Sequence, residues 1–82
     1  MSIFRMSEVK TATGHRSHAS IYTAIKEGLF TTGVLIGQRA VGWPDYEVKA
    51  IIAARIAGHG DDAIRALVVR LHAKRQNALM AV

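Results

Sequence analysis

The side chains with chemistry to offer fall in two short stretches. The first runs from Arg16 through Ser17, His18, Ser20, Tyr22 and Thr23 to Lys26, and the second is Gly37-Gln38-Arg39. Together they present hydroxyls, an imidazole, an amide and three cations, a set made for gripping phosphates and the edges of bases. Catalysis needs more than this. The chain has no nucleophile paired with a base and no glycine-rich phosphate loop, and its acids fall mainly where helices begin, so it reads as a non-enzyme without a cofactor. His15 and His18 are three apart, but no carboxylate or thiol accompanies them locally, and His59 and His72 stand alone; no metal site is expected. With no cysteine, disulfides and thiolate-bound zinc are excluded.

Charge points the same way. Eleven Lys and Arg against six Asp and Glu give a net charge of +5. That balance favours a polyanionic partner, double-stranded DNA before an anionic membrane surface. No segment approaches the roughly 18 uncharged apolar residues of a membrane span, and the first residues lack the apolar run of a signal peptide. The expectation is a cytoplasmic protein with no membrane partner. Half of the 82 residues are hydrophobic, generous for so short a chain, so some apolar surface could face a partner.

The elements that must position the two stretches follow from the seven glycines, which stand at the joints. Residues 3–6 read as an extended apolar lead-in. Ser7 is placed to cap a helix over about 8–13, with Glu8 at its positive end and Val9 and Ala12 as its buried side. Gly14 stops that helix. Ser17 then caps a second one over 17–27, whose Ile21, Ala24 and Ile25 share a buried face, and Gly28 ends it. Two short helices joined by a glycine-containing turn are the helix-turn-helix arrangement. The competing reading of 17–28 is an ordinary amphipathic helix.

Val34-Leu35-Ile36 and Ala40-Val41-Gly42-Trp43 flank a glycine-led turn and read as a hairpin with Arg39 near its tip. Val34, Ile36, Val41 and Trp43 are expected on its inward face, with Trp43 as a core anchor rather than a stacking platform. Arg39 is then either a solvated turn residue or a phosphate or minor-groove contact. Pro44 suits the first position of a helix carrying Val48, Ile51, Ile52 and Ile56 and ending at Gly58. A last helix begins at Asp61-Asp62, with Ile64, Leu67, Val68 and Leu71 as its apolar stripe and Arg65, Arg70, Lys74 and Arg75 mostly off it. It either folds back or joins a second chain through that stripe. The expected architecture is mostly α with a small β-hairpin: a winged helix-turn-helix over 1–58 and a C-terminal helix in 59–82.

The order of residues resembles the AlpA family of prophage regulatory proteins. The likeness runs through Ser7-Glu8-Val9, Thr13-Gly14, Ser17, Ile21-Tyr22, Ile25-Lys26-Glu27-Gly28 and Phe30, then Ile36-Gly37, Arg39-Ala40-Val41-Gly42-Trp43 and Glu47-Val48. It covers about residues 4–57. Where many members carry arginines just after the cap and after the tyrosine, this chain has His18 and Thr23. The resemblance implies a winged helix-turn-helix akin to MerR-type domains and excisionases, and a small DNA-binding transcriptional activator.

On that reading Ser17, His18, Ser20, Thr23 and Lys26 approach the major groove. Tyr22 supports a phosphate through its hydroxyl or packs half-buried, Arg16 meets the backbone, and Gln38 and Arg39 form the wing tip. Arg5 and Lys10 are candidates for flanking phosphates. Strong bidentate reading of a guanine would have to come from Arg16 or Arg39. Two rivals stand beside the regulator: an excisionase-like factor that bends or coats DNA, and a protein-interaction adaptor acting through the 61–76 helix. So small a reader needs a dimer, adjacent sites or a partner to be selective, and Ile64, Leu67, Val68 and Leu71 are the candidate dimer stripe.

Overall fold

The computed structural model describes residues 2–80, with side chains through Gln76; residues 81 and 82 of the expected C-terminal element lie outside it. The elements are β1 (Ile3–Arg5), α1 (Met6–Thr13), α2 (His18–Lys26), β2 (Val34–Leu35), β3 (Val41–Pro44), α3 (Asp45–Ile56) and α4 (Asp61–Met80). The architecture is the expected one, mostly helical with a small antiparallel sheet.

The extended lead-in is a full member of that sheet. β1 pairs antiparallel with β3, Phe4 opposite Trp43 and Arg5 opposite Gly42, so the strand order is β1-β3-β2. Arg5, and not Ser7, occupies the cap position of α1, because the strand runs straight into the helix. Its N–H donates to a Glu8 carboxylate oxygen at 2.9 Å, satisfying a donor that the first turn leaves without a partner. Ser7 lies within the helix, where its carbonyl accepts the Thr11 hydroxyl. Val9 is fully buried as expected, but Ala12 is exposed.

The register of the hairpin corrects its expected inward face. Val34 pairs with Gly42 and Leu35 with Val41, and partners across an antiparallel pair point to the same side. Val34 and Ile36 therefore share the outer face with Gly42, while Val41 and Trp43 point inward with Phe4. A Cβ on Gly42 would overlap Cγ2 of Ile3 and stand 3.2 Å from Cδ1 of Ile36, so these two isoleucines close over the glycine. Ile36 is 44% exposed.

Trp43 is the anchor of the core. It has no exposed surface, its Nε1–H donates to the Thr31 carbonyl at 2.8 Å, and Phe30 leans on it at a ring separation of 6.2 Å. Pro44 is the cap of α3 rather than its first residue, and Asp45 opens the helix. From α3, Val48 and Ile51 enter the core; Ile56 does not, being 82% exposed in a last turn that overruns it.

α4 folds back onto α3. Ile64, Val68 and Leu71 are buried in the same cluster as Val9, Ile21 and Trp43, with Leu67 packed against it. The stripe considered for a dimer is thus consumed within the chain. Arg75, expected off this stripe, turns inward. Its guanidinium holds the fully buried Glu47 carboxylate through two hydrogen bonds, 2.6 and 2.7 Å. Among the described residues no helix is long and apolar enough to cross a membrane.

Candidate nucleic-acid interface

Gly14 reverses the chain between α1 and α2 at φ 79°, a left-handed conformation that glycine adopts without steric cost. Ser17 follows in extended conformation, and its hydroxyl oxygen accepts the Ser20 N–H at 3.2 Å, as the expected cap does. Ile21 is wholly buried, with Ala24 and Ile25 half-buried beside it. Burying that face holds His18, Ala19, Tyr22, Thr23 and Lys26 out into solvent. Tyr22 is 52% exposed, half covered and half open to solvent.

The hairpin of β2 and β3, the expected wing, lies beside this helix. Ile36 N–H donates to the Ala40 carbonyl at 2.9 Å, closing the turn that carries Gln38 and Arg39, both exposed. Arg39 and Val41 from the wing, His18 and Tyr22 from α2, and Arg5, Met6 and Ser7 line one groove of about 350 Å³. Two arginines and a histidine thus converge from three elements of the chain. Arg16 and Lys26 are exposed but do not line this groove.

Arg5 owes its place to the pairing of β1 with β3, which hydrophobic alternation over three residues does not announce. The anchor of that strand lies at its other end. Asp45 N–H donates to the Ser2 carbonyl at 2.8 Å, and the Ser2 hydroxyl donates to Asp45 Oδ2 at 3.2 Å. Partial desolvation raises the Asp45 pKa. Hydrogen bonds from Ser2 and the Lys49 ammonium at 3.6 Å outweigh it, leaving the carboxyl below its usual range.

Ser20 is half-buried, and its hydroxyl is hydrogen-bonded to Nδ1 of His15. Ser20 and Thr23 line a second cleft, of about 600 Å³, with His15, Phe30, Ile51, Ile52 and other residues of α1, α2 and α3. A helix of 3.6 residues per turn places 18 and 22 on one flank and 20 and 23 on the other, so the expected contact set divides between two sides of α2. His15 and His18 likewise line different clefts, and among the described residues no three His, Cys, Asp or Glu side chains gather as a metal site would require.

The model for the prophage CP4-57 regulatory protein (AlpA) matches residues 2–56. The chain belongs to the AlpA family of prophage regulatory proteins. The matched span runs from β1 through the last turn of α3, so the AlpA match takes in the helix pair, the wing and the groove between them. α4 lies beyond it. The chain matches no curated protein and no solved structure.

Proposed function

We propose that this AlpA-family chain is a sequence-specific DNA-binding regulator of a prophage or similar mobile element, with α2 read into the major groove and Arg39 set on the flanking backbone or minor groove. The observation that carries the proposal is the shared groove: His18 and Tyr22 of α2, Arg39 of the wing and Arg5 open onto one side of the molecule.

The dimensions suit a duplex. Nine residues at 1.5 Å each make α2 about 14 Å long, and a helix of roughly 10–12 Å diameter enters a major groove about 12 Å wide. The longest extent of the chain is 34 Å, so one copy reaches no further than about one helical turn of DNA. Ser17 supports the interface as a cap, and Ser20 through His15; neither hydroxyl is free in the way those of Tyr22 and Thr23 are. Exposed Arg16, Lys26 and Gln38 extend the basic and amide surface on either side. Residues 1–58 form the DNA-binding unit in this reading, and α4 supports it.

Fluorescence anisotropy with duplexes from the integrase promoter and attachment site tests the reading. Replacing both Lys26 and Arg39 by alanine is expected to weaken binding by about 1–3 kcal/mol and to flatten the plot of log K against log salt by up to about two units. Binding and salt slope unchanged in that double variant would overturn it.

A further inference from the structure

The segment that joins α2 to the wing, residues 27–33, is held from outside the family match. Arg65 of α4 donates from Nε to the Glu27 carbonyl at 2.9 Å, its stem lying over Gly28. His72 accepts the Thr32 N–H on Nε2 at 3.2 Å. Arg75 donates to the Thr32 carbonyl at 2.8 Å and to the Thr32 hydroxyl at 3.2 Å, while its other bonds hold Glu47 of α3. Both backbone groups of Thr32 are therefore taken by side chains of one helix. The far side of the segment is fixed to the wing: Trp43 Nε1–H holds the Thr31 carbonyl, and Gly33 is pressed so close to β3 that a Cβ there would overlap Val41.

This bracing is more than the core requires. Ile64, Val68 and Leu71 already bury the apolar side of α4. Arg65 and His72 add nothing to that burial, and Arg75 holds the buried Glu47 as well; all three also bond the backbone of a connection that has no regular secondary structure of its own. That connection decides how far the wing stands from α2, and at what angle. A grip made at two points needs its points at a fixed separation, because a contact an ångström out of place forfeits much of its strength.

We propose that Arg65, His72 and Arg75 are positioning residues, through which α4 sets the geometry between α2 and the wing. The proposal rests on the DNA reading for its purpose, though not for its geometry. The chain has no cysteine, so spin labels can be placed at Ala19→Cys and Gln38→Cys without competing sites. The measurement is the distance distribution between them by pulsed electron resonance. Two variants are compared with the parent: Arg65→Met/His72→Phe, which keeps the Glu47–Arg75 pair, and the same with Glu47→Met/Arg75→Met. Should the fourfold variant unfold, the twofold one carries the test.

The expected result is a narrow distribution in the parent and a broader or displaced one in the variants, with helix content by circular dichroism preserved. An unchanged distribution overturns the proposal. The second readout is affinity in unlabelled protein. Arg39→Ala is expected to weaken the parent about tenfold and the variants less than about threefold, since a wing already out of position has less to lose. An equal effect of Arg39→Ala on both backgrounds overturns positioning for DNA. If the parent has no affinity for DNA, the functional reading falls and the label distances alone decide the positioning role.

Discussion

Arg75→Met is expected to be strongly destabilising, and Glu47→Met/Arg75→Met to undo most of the damage. Glu47 is fully buried, and the Arg75 guanidinium meets both of its carboxylate oxygens, at 2.6 and 2.7 Å. Removing the arginine strands a charge in the interior, which costs about 3–5 kcal/mol. A domain of this length has a total stability of roughly 4–12 kcal/mol, so the single variant stands near the limit of folding. Its melting temperature should fall by more than about 12 °C, taking about 4 °C per kcal/mol as the lower conversion for a small domain. Replacing both partners by methionine removes the charge together with its counter-charge, and such exchanges are often close to neutral. Thermal and urea unfolding followed by circular dichroism read both variants. A single variant within about 1 kcal/mol of the parent, or a double variant no better than the single, would refute the assignment of the pair as a buried unit.

Four further outcomes follow from the geometry. Gly42→Ala places a methyl group onto Ile3 Cγ2 and 3.3 Å from the Phe4 carbonyl, and should cost about 1–3 kcal/mol in urea unfolding; Gly58→Ala, at φ 86° with nothing within 4 Å, meets only backbone strain and should cost about 1 kcal/mol. Ser17→Ala removes the cap on α2 and should cost about 1 kcal/mol, with amide exchange accelerated first at Ser20, whose N–H the hydroxyl holds. The folded-state pKa of Asp45 is lowered, so its contribution to stability is complete above the ordinary carboxylate range, near pH 4, and disappears as pH falls through the lower folded value. Melting curves of Asp45→Asn should accordingly differ from the parent at pH 7 and converge with it in strong acid.

What the residues announced in advance were the features governed by a few neighbours. Ser17 capping α2, Gly14 and Gly28 ending helices, Ile21 turned inward and Trp43 as anchor each depend on local backbone chemistry or on one strong burial preference. The strand parity of the hairpin depends on something finer, the number of residues in its turn. With Leu35 opposite Val41, even positions share one face and odd positions the other, so Val34 and Ile36 could not join Trp43. The bond of Ser20 to His15 is not legible in the same way, because a polar stripe on a helix does not say which of its two flanks faces a neighbour. Arg75 was illegible for a different reason: a basic residue beside an apolar stripe looks solvated unless the buried acid that receives it, 28 positions earlier, is already known. The groove itself was half legible. Arg39 and α2 were expected together, while the contribution of Arg5 came from a pairing across some forty residues of chain.

The middle strand of the sheet is also the last of the three to be synthesised. β1 waits for a partner 41 residues downstream, Ile3 for Pro44, and β2 has nothing to pair with until the same segment emerges. Neither ladder can therefore form until residues 41–44 are available, and β3 closes both. Substitutions in 41–44 should retard the refolding rate out of proportion to the few residues involved, because among the described residues both strand pairings depend on that one segment.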